Sequence, residues 1–186
     1  MISTSDFKNG ATLFVDGEPY RVLWFQHHKP GKGGAVMRTK LKHLRNGSIV
    51  ERTFKSGERF ENVEVTRQKK QFLYAEGSTL HFMDIETYDQ IEVPKEKVGD
   101  MAQFLTENME VTAIYLEGEF LDIDLPPNVV MKVVTTEPGA RGNTVSGATK
   151  QATLETGVVV NVPLFIKEGE LVRVDTRTGE YIERAS

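Results

Sequence analysis

The stretch that most constrains this chain is Lys29-Pro30-Gly31-Lys32-Gly33-Gly34-Ala35. Tyr20-Arg21-Val22-Leu23-Trp24-Phe25-Gln26 precedes it and Val36-Met37-Arg38-Thr39-Lys40-Leu41-Lys42 follows it. Two strand-like runs around a Pro/Gly tip predict a β-hairpin. Three glycines and a proline have almost nothing to bury, so the tip belongs in solvent. Lys32 stands at its centre, and its glycine neighbours leave a partner free to approach closely. On the local pattern alone, a lysine that merely keeps a surface loop solvated is the commoner case. A phosphate-binding loop does not fit. That motif needs Gly five residues before its Gly-Lys pair and Ser or Thr after it, where this chain has Gln26 and Gly33.

A chain of 186 residues makes one large domain or two to three small ones. No apolar run approaches the ~20 residues that span a bilayer, and the polar opening Met1-Ile2-Ser3-Thr4-Ser5-Asp6 has no signal-peptide pattern. A soluble, cytoplasmic protein is expected. With no cysteine, disulfides, thiolate metal sites and a thiol nucleophile are excluded. The net charge of −4 conceals an asymmetry: +4 over residues 1–64, −8 over 65–126 and neutrality over 127–186. Residues 21–45 hold seven basic side chains, no acid and three of the four histidines, a plausible footprint on phosphate.

Short strand-like runs separated by dense turn signals predict a mainly β protein of three small barrel domains. Residues 1–64 read as five strands, including the hairpin. Residues 65–126 read as an acidic OB-like barrel with one helix over 97–108, where Val98, Met101, Ala102 and Leu105 recur at helical spacing. Leu125-Pro126-Pro127 marks a stiff connection. Residues 127–186 read as a third, OB-like barrel with a Gly-rich loop from 138 to 148.

No constellation assembles a catalytic or metal site. His27 and His28 are adjacent and point to opposite faces of a strand, and with His43 they make a poor ligand set. Asp122 and Asp124, like Asp84 and Glu86, read as carboxylates on a solvated strand face. Gly142-Asn143-Thr144 could offer backbone donors and a hydroxyl to nucleic acid, or be an ordinary turn. Tyr181 and Arg184 could stack on and pair with RNA, or be ordinary surface residues.

The tip 29–35 resembles that of the bacterial elongation factor P family, which is related to the hypusine-bearing translation factor of eukaryotes and archaea. Lys150-Gln151-Ala152-Thr153-Leu154-Glu155-Thr156-Gly157-Val158-Val159-Val160-Asn161-Val162-Pro163-Leu164-Phe165-Ile166 is similar to that family's C-terminal signature. Thr4-Ser5-Asp6-Phe7-Lys8-Asn9-Gly10 and Gly179-Glu180-Tyr181-Ile182-Glu183-Arg184 also fit, so the resemblance spans essentially the whole chain.

The resemblance implies a KOW/SH3-like barrel followed by two OB-fold barrels in an L-shaped, tRNA-like arrangement. It implies a monomeric, non-enzymatic elongation factor that binds the ribosome between the P and E sites and relieves stalling at consecutive prolines. Lys32 is then the functional tip residue, entering the peptidyl transferase centre. Lys29, Pro30, Gly31, Gly33 and Gly34 form the loop that meets the acceptor end of the P-site peptidyl-tRNA. Gly142, Asn143 and Thr144 approach the mRNA codon in the E site, with Asn143 where the family more often has Asp. Tyr181 and Arg184 contact the small subunit. No cofactor or metal is implied, only a covalent extension of Lys32 by a lysine-modifying enzyme. Two rival readings are an RNA clamp, indifferent to Lys32→Arg, and an enzyme using Lys32 as a Schiff-base nucleophile.

Overall fold

Alternation and tight turns build the N-terminal region. The structure, a computed structural model, describes residues 1–138 and 148–186. Its first strands are β1 (Ile2–Ser3), β2 (Thr12–Val15), β3 (Glu18–His28), β4 (Val36–His43), β5 (Ile49–Lys55) and β6 (Arg59–Phe60). In β2, Leu13 and Val15 turn inward while their neighbours stay half-exposed. The two-residue turn Asp16-Gly17 returns the chain directly into β3. The sheet runs in the order β2-β3-β4-β5, and β1 pairs with β6. A bridge from Leu13 to Asn62 and a bond from the Phe14 N–H to the Glu61 carbonyl (2.9 Å) bring the far end back to β2. The result is a small barrel-like unit built from these two sheets. Phe7, Leu13, Val22, Met37, Leu41 and Phe54 fill it, each such side chain contributing about 1.5–3 kcal/mol by leaving water.

The chain forms two compact units, residues 1–68 with 113–122, and residues 69–112 with 123–186. The central strands are β7 (Thr66–Glu76), β8 (Thr79–Asp84), β9 (Gln90–Pro94), β10 (Glu110–Leu116) and β11 (Glu119–Asp124), in the order β11-β10-β7-β8-β9. The turn end of the β10–β11 hairpin belongs to the first unit, where Leu116 and Leu121 share a core with Leu44 and Val63.

Within the second unit, the helix expected over 97–108 is cut short. The α-helix α1 covers only Lys95–Val98, and a 3-10 stretch continues through Gly99–Phe104. Gly99 sits at φ +72°, outside the right-handed helical region, so α-helical hydrogen bonding cannot propagate through it. The apolar spacing has another use. Phe104 joins the core under the C-terminal strands, with Met131, Leu154, Val162 and Ile166. These strands are β12 (Asn128–Thr136), β13 (Thr149–Leu154), β14 (Val159–Pro163), β15 (Leu171–Asp175) and β16 (Tyr181–Ala185), ordered β14-β13-β12-β15-β16. The Pro126 and Pro127 carbonyls accept bonds from the Thr176 hydroxyl and N–H, at 2.5 and 3.0 Å, so the predicted connector is tied to this sheet.

Candidate functional site

β3 and β4 stay paired until His28 faces Val36, leaving residues 29–35 as the loop. The predicted hairpin is present, but it is not a free two-stranded stalk. β5 pairs with β4 as far as Lys55 opposite Val36, and the Ser56 N–H donates to the Ala35 carbonyl at 3.0 Å. Only the loop itself projects beyond this three-stranded support. Lys29, Gly31, Lys32, Gly33 and Gly34 are exposed and Pro30 is half-buried. Gly33 has φ +93°, a conformation that side chains resist. A Cβ built on Gly31 or Gly34 meets nothing within 4 Å and strains no torsion. Packing inside the protein therefore does not explain those two glycines. Among the described residues nothing pairs with Lys32.

The face below the loop is basic. Trp24 lies opposite Lys40 and Gln26 opposite Arg38, so these four exposed side chains share one side of the β3–β4 pair. An aromatic ring between cations suits a phosphate backbone with an accessible base.

At the base of the hairpin the structure corrects the sequence reading. Asp122 does not sit on a solvated face: it is fully buried. Its Oδ2 accepts a bond from Arg21 Nη1 at 2.9 Å and its Oδ1 from Lys42 Nζ at 3.1 Å. Arg21 and Lys42 are direct cross-strand partners, a placement that repels unless an anion bridges it. Register decides this pairing: alignment from the tip would set Arg21 opposite His43, and the irregularity between Val22 and Trp24 sets it opposite Lys42 instead. Asp84, by contrast, closes a turn and accepts the N–H groups of Glu86 and Thr87.

The histidines play structural or surface roles. His43 Nδ1 accepts from the N–H groups of Arg45 and Asn46, and its Nε2 lies 3.2 Å from Glu18. His27 and His28 are exposed on β3. Among the described residues no cluster of three or more ligating side chains could hold a metal.

Tyr181 and Arg184 come together through an irregularity. Tyr181 lies opposite Val174 and Arg184 opposite Val172, with a register shift between them. Residues three apart on a regular strand face opposite ways, and the extra residue puts both on one face. Arg184 lies over the Phe165 ring at 5.4 Å and pairs with Glu170 at 2.9 Å. Tyr181 packs half-buried against the C-terminal core. Burial pushes its phenol up from the usual value, partly offset by the Arg184 charge. Gly142, Asn143 and Thr144 lie outside the described residues.

Sequence models of three domains match this chain: the elongation factor P KOW-like domain over residues 3–60, its OB domain over 65–123, and its C-terminal domain over 129–184. An elongation factor P of Endomicrobium trichonymphae is 61% identical over 185 residues, spanning 100% of both chains. The chain belongs to the elongation factor P family. An elongation factor P of Moorella thermoacetica is 51% identical over 185 residues, again spanning 100% of both chains. Among solved structures, a eukaryotic translation initiation factor 5A from Methanococcus jannaschii is similar over 67% of this chain and 93% of its own. The identity there is 26% and the TM-score 0.43. The elongation factor P match makes this protein a translation factor, mainly β, with KOW-like and OB domains, as its sequence motifs implied. Among the described residues no helix is long and apolar enough to cross a membrane.

Proposed function

We propose that this translation factor binds the ribosome between the P and E sites and stimulates peptide-bond formation at consecutive prolines. Lys32 is the effector, carried by the loop 29–35 to the acceptor end of the P-site peptidyl-tRNA. The observation that carries this reading is the exposed Lys32, without a partner among the described residues, on a loop braced from behind by β4 and β5.

The physical argument is one of orientation. Proline has a fixed φ, and a nascent chain ending in prolines holds the reacting groups in poor geometry. A factor that confines the tRNA end restores alignment, and alignment alone can lower a barrier by several kcal/mol. No proton transfer by Lys32 is needed. A bare lysine reaches only ~6 Å beyond its Cα, at ~1.5 Å per bond. A covalent extension such as β-lysylation or an aminopentanol group would carry donors further in. Tyr181 and Arg184 then face the small subunit, and Gly142, Asn143 and Thr144 the E-site codon. The protein works as a cytoplasmic monomer without a cofactor.

The test is reconstituted translation of messages with and without proline runs. Lys32→Ala is expected to abolish stimulation on proline runs while leaving other messages unchanged. Full activity of Lys32→Arg would instead favour an RNA clamp. Borohydride trapping of a carbonyl compound on Lys32 without ribosomes would favour Schiff-base chemistry. Peptide mass measurement on protein from the native host reads any mass added to Lys32.

A further inference from the structure

The barrel releases the tip hairpin at one place. β2 pairs with β3 only from Glu18 to Arg21. The Val22 N–H then donates to the Ala11 carbonyl, and the register shifts between Val22 and Trp24. Beyond that bulge, β4 is the neighbour that β3 keeps in the sheet. Asp122 grips this exit point, with one carboxylate oxygen on each strand of the hairpin. It comes from β11, which lies outside the barrel sheet, yet it belongs to the same compact unit.

We propose that Asp122 is a positioning residue that sets the aim of Lys32 through Arg21 and Lys42. This rests on the reading of Lys32 as effector. The lever is long: at about 3.3 Å per residue, His28 lies roughly 23 Å along the strand from Arg21. A pivot of about 10° at the base would move the tip by roughly 4 Å, and displacements near 1 Å can cost about a hundredfold in an orientation-limited step. Apolar packing of Leu44, Val63, Leu116 and Leu121 nearby supplies cohesion without direction. Two charge-assisted bonds to the two oxygens of one carboxylate fix direction as well as distance. Like charges directly opposite on paired strands are destabilising, and this one carboxylate accepts from both.

The experiment compares Asp122→Asn with the unaltered chain in two readouts. The first is stimulation of proline-run synthesis against factor concentration. A positioning role predicts a plateau lowered about tenfold or more, with little change in the half-maximal concentration. Partial unfolding alone would shift the half-maximal concentration and leave the plateau, and that result would overturn the proposal. The second uses the absence of native cysteine: spin labels at Gln26→Cys and Glu119→Cys report the distance across this unit. Asp122→Asn should broaden or shift a narrow distribution, and an unchanged distribution would overturn the proposal even if activity fell. A replacement of the whole triad, Arg21→Met, Lys42→Met and Asp122→Leu, removes the charges together and can keep thermal stability. Recovery of both stability and full plateau in that variant would also overturn it. If Lys32→Ala has no effect on the same messages, the effector reading fails. If Lys32→Ala abolishes stimulation and Asp122→Asn leaves both readouts unchanged, only this inference fails.

Discussion

Lys70 lies directly across the β7–β8 pair from Asp84, and its ammonium is 3.1 Å from the Asp84 carboxylate. Bonds from the Thr87 and Glu86 N–H groups, joined by Lys70, hold the Asp84 carboxyl down at about 2. A carboxyl with a depressed folded value stabilises the fold above its unfolded value near 3.8, and the contribution is lost as pH falls through about 2. Asp84→Asn should therefore melt below the unaltered chain at neutral pH, with the gap closing between about pH 4 and pH 2. Lys70→Ala should raise the Asp84 value only part of the way, because the backbone donors remain. Carboxyl NMR titration checks both.

The tip glycines separate conformation from access. Gly33→Ala forces a side chain into φ +93° and should cost about 1 kcal/mol. Gly31→Ala and Gly34→Ala meet open space, so their thermal midpoints should match or slightly exceed the parent's, a gain of at most about 1 kcal/mol. If a partner closes tightly on the loop, the same two substitutions should still weaken stimulation on proline runs. Full activity in both would mean that nothing approaches their backbone.

Phe104 is 4% exposed within the C-terminal core. Phe104→Ala should destabilise the fold by about 3–5 kcal/mol, read by chemical denaturation. The neighbouring bond from the Thr156 hydroxyl to the Gln103 carbonyl is exposed, and Thr156→Val should cost at most about 1.5 kcal/mol.

Arg184 is exposed, so its ion pair with Glu170 and its contact with Phe165 carry little stability. Arg184→Ala should lower stability by no more than about 1 kcal/mol. If Arg184 meets ribosomal RNA as proposed, its loss should appear as weaker ribosome binding with a shallower salt dependence, because one cationic contact is gone. Tyr181 should ionise above the usual phenol value because it is partly buried, and ultraviolet titration reads this directly. Arg184→Ala should raise it further by removing a favourable charge.

The hairpin was legible because its determinants are local. Strand-forming runs and a Pro/Gly tip lie within about 25 residues of one another. The role of Asp122 is not legible locally, because alternation in Phe120-Leu121-Asp122-Ile123-Asp124 shows a face but not what covers it. Leu121, Asp122 and Ile123 are all buried in succession, a pattern that no period-two rule separates. The helix expected over 97–108 is shorter in the structure for a different reason. Its apolar spacing was real, but Gly99 breaks the backbone and Phe104 serves another sheet.

By itself the sequence determined the β-rich class, the order of turns and strands, the exposed lysine tip and, through its motifs, the family. These follow from short-range backbone preferences and residue identity. The tertiary structure alone decided that β5 braces the loop, that a bulge puts Tyr181 and Arg184 on one face, and that Asp122 bridges Arg21 and Lys42. Each depends on strand register and on contacts between residues as far as 101 positions apart. Such contacts come from closing the chain on itself, and no local window of sequence contains them.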